Sequence, residues 1–185
     1  MKELSLNVLD VTKNSVTAGA DTIKIFLEAS ENGWLEFRVE DNGCGMTEEV
    51  QRRVTDPFYT TRTTRKVGMG LPLLRLAAEQ TGGEMKIISS TEKGKSGTIL
   101  SATFDTNSID FMPVGDIVST ICILISGSPE VHFVFEDTDP RGKVSIDTDD
   151  LHEVLGDGIS LSEPEIVAWM RDYLNDQYAE RAKGL

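Results

Sequence analysis

Asp41-Asn42-Gly43-Cys44-Gly45-Met46 is the stretch on which the reading of this chain turns. Just before it, Trp34 to Glu40 (WLEFRVE) alternates apolar and polar residues at the period of a half-buried strand. Just after it, Thr47-Glu48-Glu49 sets a capping hydroxyl before two acids, the mark of a helix start. The six residues thus join a strand to a helix. An Asp at a strand end accepts a hydrogen bond from an exocyclic amine. Gly43 and Gly45 let the backbone bend and approach a ligand closely. A plain turn fits the same residues equally well, so the rest of the chain has to decide.

Outward from this point the pattern is regular. Thr22 to Ala29 (TIKIFLEA) alternates as a second strand, and Asn32-Gly33 is a strong two-residue turn, so a hairpin precedes the Asp41 stretch. Leu4, Val8, Leu9, Val11 and Thr12 keep helical spacing, with Gly19 as the stop. On the other side, the short helix opened by Thr47 ends at Asp56-Pro57. A loop rich in Thr and Arg follows from Thr60 to Lys66. Gly70 to Thr81 reads as a helix with Leu71, Leu74, Ala77 and Ala78 on one face, closed by Gly82-Gly83. Glu84 to Ser90 and Thr98 to Phe104 read as strands around a Gly94 to Ser96 turn. The order predicts an α+β fold: a two-layer sandwich with helices on one face of a mixed, mostly antiparallel sheet.

Three further stretches carry chemistry. Asp10 and Asn14 are one helical turn apart on one face, where a carboxylate and an amide hold a hydrated Mg²⁺ or orient a water. Asp56-Pro-Phe-Tyr-Thr-Thr-Arg62, continued through Lys66, offers hydroxyls and cations for phosphate. Gly68-Met69-Gly70-Leu71 leads into a helix, whose first N–H groups are free for an anion. No G-x-G-x-x-G within a parallel βαβ unit and no G-K-[ST] are present, so the Rossmann and P-loop readings fail.

Taken together and in this order, the four stretches resemble the boxes of the GHKL ATPase superfamily, the Bergerat fold shared by gyrase, Hsp90, MutL and the catalytic domains of histidine kinases. Asn14 sits where that family places its Mg²⁺-binding Asn, and Lys13 to Ala20 (KNSVTAGA) looks like the MutL form of that box. Asp41, Gly43 and Gly45 match the D-x-G-x-G box, whose Asp reads the adenine amine. Asp56-Pro-Phe-Tyr-Thr-Thr looks like the kinase F box, Gly68 to Leu71 like the second glycine box, and Ser96-Gly97-Thr98 like the late G-T element. The resemblance spans about residues 3 to 104. It implies binding of ATP or ADP with Mg²⁺. The implied nucleotide contacts are Asn14, Asp41, Gly43, Gly45, Met46, Thr60, Thr61, Arg62, Arg65, Lys66, Gly68, Gly70, Leu71 and Thr98. Asp10 and Asn14 would be catalytic, and Asn14 the metal ligand. The family's hydrolytic members carry Glu where this chain has Asp10, one methylene shorter. The segment from Phe58 to Gly68 is a short lid of the kinase kind, and Pro72 replaces a small residue.

Charge divides the chain. Its net charge is −13, yet residues through Phe104 hold 14 acids and 13 bases, while those from Asp105 hold 17 and 5. We therefore expect a GHKL ATP-binding domain over 1–105 and an acidic α/β extension over 106–185. The acidic segment argues against nucleic acid and anionic membranes. It reads as a solvated face, with docking of a basic partner as the sharper alternative. Within it, Asp116 to Ser126 has the length of a helix despite its β-branched residues. Val131–Phe135 and Lys143–Ile146 resemble a hairpin, a candidate for the edge strand that such folds often carry before the first helix. Asp149–Leu155 is a short helix. Ser162-Glu163-Pro164-Glu165 reads as a capping box before a helix whose Ile166, Trp169, Met170 and Tyr173 form a core stripe. His132 falls in a strand and His152 in a helix, both structural or exposed.

With 39% hydrophobic and 26% charged residues the chain is globular, and no stretch approaches the roughly 20 apolar residues of a membrane span. The N-terminus does not read as a signal peptide, and two cysteines do not make a disulfide framework, so cytoplasm is the expected compartment. The scattered His and Cys do not match zinc spacings. No helical hairpin with a phosphorylatable His precedes the Asn14 box. The reading is a free-standing ATP-binding domain of histidine-kinase type that passes the γ-phosphoryl of MgATP to a protein partner. The alternatives are a slowly hydrolysing conformational switch and a silent nucleotide-sensing module.

Overall fold

Alternation at period two builds the centre of the molecule. In β1 (Thr22–Ala29) it buries Ile23, Ile25 and Leu27, and in β2 (Trp34–Asp41) it buries Leu35, Phe37 and Val39. The two pair antiparallel, with Ile25 opposite Val39. The computed structural model describes residues 3–54, 70–156 and 158–184. Before the hairpin comes α1 (Leu4–Thr17). After it come α2 (Glu48–Arg53), α3 (Gly70–Gln80), β3 (Met85–Ser90), β4 (Gly97–Asp105), α4 (Ile117–Gly127), β5 (His132–Asp139), β6 (Gly142–Asp147), α5 (Thr148–Leu155) and α6 (Pro164–Lys183). The sheet has six strands in the order β3-β4-β2-β1-β5-β6. Every pairing is antiparallel except that of β1 with β5. This is the expected α+β sandwich.

The acidic segment contributes to the same sheet. Strand β5 lies parallel to β1 with Ile25 opposite Phe135, so its hairpin with β6 fills the edge beside β1. Phe133 and Phe135 are buried in the core that holds Ile23 and Ile25. Helix α4 packs on α1, and α6 packs on α4 and β6. Helix α4 buries Ile117, Val118, Ile121, Cys122, Leu124 and Ile125. Burial on several sides overrides the strand preference of its β-branched residues. Asp116 caps it by accepting from the Ser119 backbone N–H at 2.9 Å, a contact that holds its carboxyl below the usual range. Burial pushes the Cys122 thiol up.

Helix α6 departs from expectation in two ways. It starts at Pro164, whose fixed φ suits the first helical position. Glu163 is therefore the cap, without a side-chain bond, and Ser162 pairs with the Ser160 hydroxyl at 2.7 Å. The capping box is not formed because the helix begins one residue too late for Ser162 to be its cap. The core stripe is also displaced: Met170 and Leu174 are buried, while Trp169 and Tyr173 are exposed. Tyr178 and Arg181 anchor the helix to Asp137 at 2.6 and 2.9 Å. Burial, reinforced by the Asp137 charge, pushes the Tyr178 phenol above its ordinary range. Gln177 donates to the Ser145 carbonyl and accepts from the Ser145 N–H, both at 2.9 Å, so it occupies the outer edge of β6 as a neighbouring strand would.

Candidate functional site

The end of β2 meets the second half of α1. On α1, Asp10 and Asn14 are both half-buried and one turn apart, and Ser15 is buried next to Asn14. The Ser15 hydroxyl donates to Asp41 Oδ2 at 2.6 Å, and the Gly43 N–H donates to Asp41 Oδ1 at 2.9 Å. The carboxylate is held from both sides. An ionised carboxylate accepts about four hydrogen bonds, so acceptor capacity remains for one more donor.

The turn after Asp41 is tied down along its length. The Asn42 side chain accepts from the N–H groups of Asp21 and Thr22, and Cys44 N–H donates to the Ala18 carbonyl at 2.9 Å. Gly45 has φ +70°, and a Cβ built there would lie 1.8 Å from the Ser90 carbonyl oxygen. A Cβ on Gly43 would lie 2.9 Å from Ala18. These glycines bring the turn against β3 and the end of α1. Met46 N–H donates to the Ser89 hydroxyl at 2.8 Å, and Gln51 Nε2 donates to the carbonyls of Met46 and Ser89 at 2.9 Å.

Thr98 stands directly opposite Asp41 in the β2–β4 register. Its hydroxyl lies 2.8 Å from the Ser89 hydroxyl, which donates to the Gly97 carbonyl at 2.8 Å. A hydroxyl has one proton. With that proton on Gly97, Ser89 accepts from Thr98 and Met46, and the Thr98 oxygen keeps its lone pairs for a ligand or water. Asp10 meets α3 at its first residue: its Oδ2 lies 3.6 Å from where a Cβ on Gly70 would be. The first N–H groups of a helix lack intrahelical partners and carry a partial positive charge. Leu71 follows, half-buried and packed on the core.

The structure thus gathers Asp10, Asn14, Asp41, Gly43, Gly45, Met46, Gly70, Leu71 and Thr98 around the end of β2 and the start of α3. Thr60, Thr61, Arg62, Arg65, Lys66 and Gly68, with Asp56-Pro57, lie outside the described residues. Ser15 and Ser89 were missed by sequence reasoning. Ser15 left a signal: it shares the buried face of α1 with Val8 and Val11, where a polar group needs a partner. Ser89 left none, because it comes opposite Thr98 only once β3 pairs with β4. Elsewhere, His132, Asp147 and Asp149 bring ligand atoms within 4.8 Å of one another. His132 Nε2 is engaged by Asp147 at 2.9 Å, and Asp149 faces its Nδ1 at 3.5 Å.

Residues 1–108 match the family described as histidine kinase-, DNA gyrase B- and HSP90-like ATPase. Sporulation kinase E of Bacillus subtilis (strain 168) is 33% identical over 96 residues, which is 51% of this chain and 12% of that protein. The chain therefore spans about an eighth of that relative, at 12%. Two solved structures share the fold. The N-terminal domain of a DNA repair protein superposes with a TM-score of 0.58 at 17% identity, covering 85% of this chain and 58% of that one. The Aquifex aeolicus MutL ATPase domain complexed with ADP gives 0.51 at 16% identity, covering 84% and 69%. Among the described residues no helix is long and apolar enough to cross a membrane.

Proposed function

Because the chain belongs to the histidine kinase-, DNA gyrase B- and HSP90-like ATPase family, we propose that it binds MgATP at the end of β2 and transfers the γ-phosphoryl group to a separate protein in the cytoplasm. The observation that carries the nucleotide reading is Asp41, held by Ser15 and the Gly43 N–H with acceptor capacity left over. That carboxylate accepts from the 6-amine of adenine and repels the 6-oxo oxygen of guanine. Thr98, with its lone pairs free, is placed to hold the ring edge or a bridging water. The ADP bound by the MutL relative favours the same class of ligand.

The donor set fits Mg²⁺. Asp10 and Asn14 are hard oxygen donors at i, i+4, and a cation that keeps most of its waters is held by one or two such groups. When bound, the ion neutralises charge developing on the phosphates. Gly70 and the start of α3, with Arg62, Arg65 and Lys66, are the groups we assign to the phosphates. In the transfer, the bond from the γ-phosphorus to the bridging oxygen breaks, a bond to the acceptor forms, and ADP leaves. A separate acceptor is favoured because His132, on β5, is engaged by carboxylates on β6 and α5, and His152 lies on α5.

A second reading rests on Asp10. Its carboxylate beside the first residue of α3 is where a weak base for water would stand, which is the requirement of an ATP-hydrolysing switch. Incubation with γ-labelled ATP, Mg²⁺ and a lysate of the source cell tests both. A labelled protein band supports transfer, and free labelled phosphate without a band supports the switch. Binding without turnover leaves a nucleotide sensor, and no nucleotide binding at millimolar ATP refutes the whole reading.

A further inference from the structure

Two large side chains of α6 find no place in the core. Trp169 and Tyr173 are 44% and 41% exposed. They stack on each other with ring centroids 5.1 Å apart and planes 8° from parallel. Glu165, Asp172 and Asp176 flank them at helical spacing. Tyr173 also walls a cleft with Glu136, Lys143, Asp147 and Asp150 from β5, β6 and α5. Lys143 is paired with Glu136 at 2.5 Å and Asp147 with His132 at 2.9 Å. Asp150 has no ion-pair partner among the described residues.

We propose that this cleft, walled by the Tyr173 ring and carboxylates, is the docking site for an arginine-bearing basic segment of a protein partner. A guanidinium is planar, stacks on an aromatic face and donates to a carboxylate at its rim at the same time. Tyr173, backed by the stacked Trp169 ring, presents that face, and Asp150 supplies the carboxylate. The surrounding field has the matching sign, because residues from Asp105 onward hold 17 acids and 5 bases. That field repels nucleic acid and anionic lipid, and the flanking acids disfavour a purely apolar occupant. The position is also suited to use. His132 lies opposite Thr22 and Asp41 opposite Ile23, so the His132–Asp147 end of the cleft shares one end of the sheet with Asp41. A segment bound there lies on the same end of the molecule as the nucleotide site, yet the contact is independent of nucleotide binding.

The test uses the full chain and a fluorescein-labelled peptide of four alternating Arg-Gly pairs, followed by anisotropy in low salt. The wild-type protein binds the peptide, and a version with citrulline in place of Arg does not bind. Tyr173→Ala weakens binding about fivefold, the size expected for one cation–π contact, and Asp150→Asn weakens it comparably. Both residues are exposed, so these variants stay folded. Asp110→Asn, at the opposite end of the sheet, changes affinity less than twofold. In a two-dimensional NMR spectrum the Trp169 indole N–H shifts on titration while that of Trp34 does not. No binding by the wild-type protein, an unchanged affinity for Tyr173→Ala, or an equal loss for Asp110→Asn and Asp150→Asn each overturns the proposal.

Discussion

Replacing Gly45 by Ala tests whether the turn after Asp41 is pressed against β3 as described. Gly19 provides the control, because the two have nearly the same backbone: φ is +70° at Gly45 and +72° at Gly19. A Cβ on Gly19 meets nothing within 4 Å, whereas one on Gly45 would lie 1.8 Å from the Ser90 carbonyl. Both substitutions pay the left-handed backbone penalty of about 1–2 kcal/mol. Only Gly45→Ala must also push the turn off β3. That breaks the Met46 N–H bond to Ser89 and strains the two Gln51 bonds. At about 1 kcal/mol for each hydrogen bond lost, Gly45→Ala costs roughly 2–5 kcal/mol in all, against about 1–2 for Gly19→Ala. Urea unfolding with linear extrapolation measures both, and the same samples are titrated with ADP. Equal losses for the two variants, within the error of the extrapolation, would refute the close approach at Ser90 and the shape of the site built on it.

Other expectations follow from the same contacts. Asp41→Asn should weaken ATP binding about ten- to hundredfold, the worth of a charged hydrogen bond, and bring ATP and GTP affinities together; calorimetry decides, and an unchanged ATP affinity counts against the adenine assignment. Asn14→Ala should weaken MgATP and spare adenosine, and equal loss of both makes the residue structural. The hydrogen bond from Arg141 holds the Asp139 carboxyl below its ordinary value of 3.8. The folded-state value lies below the unfolded one, so this contribution is fully present above the unfolded value and is lost as pH falls through the folded one. Arg141→Gln should flatten the loss of stability in that acid window, read by acid titration of circular dichroism. Truncation after Asp105 removes β5 and α4 from the core around Ile23 and Ile25. We expect that fragment to aggregate and limited proteolysis of the full chain to yield no stable product ending near 105.

Much of the architecture was legible because its signals are local. Alternation marked β1 and β2, Asn32-Gly33 marked their turn, and the order of the Asp10–Asn14, Asp41–Met46 and Gly70–Leu71 stretches marked the site. What escaped depended on partners distant in sequence. Which side of α6 is buried is set by α4 and β6, so Trp169 and Tyr173 fall outside although their spacing fits a core stripe. The bond from Ser15 to Asp41 joins residues 26 apart, and the roles of Ser89 emerge only when β3 lies beside β4. Helix α4 was ambiguous for a similar reason. Its β-branched residues argue for a strand alone, and it is the cap at Asp116 with burial against α1 that resolves it.

The glutamine at the outer strand has a meaning for how these molecules meet one another. Gln177 takes both outward backbone groups of Ser145 on β6, and at the far side of the sheet Gln51 takes the Ser89 carbonyl on β3. A strand from a second molecule arriving at either flank finds an amide side chain already seated on that edge and has to displace it before it can pair along the whole strand. Each amide therefore acts as a local stop against growth of the sheet from copy to copy.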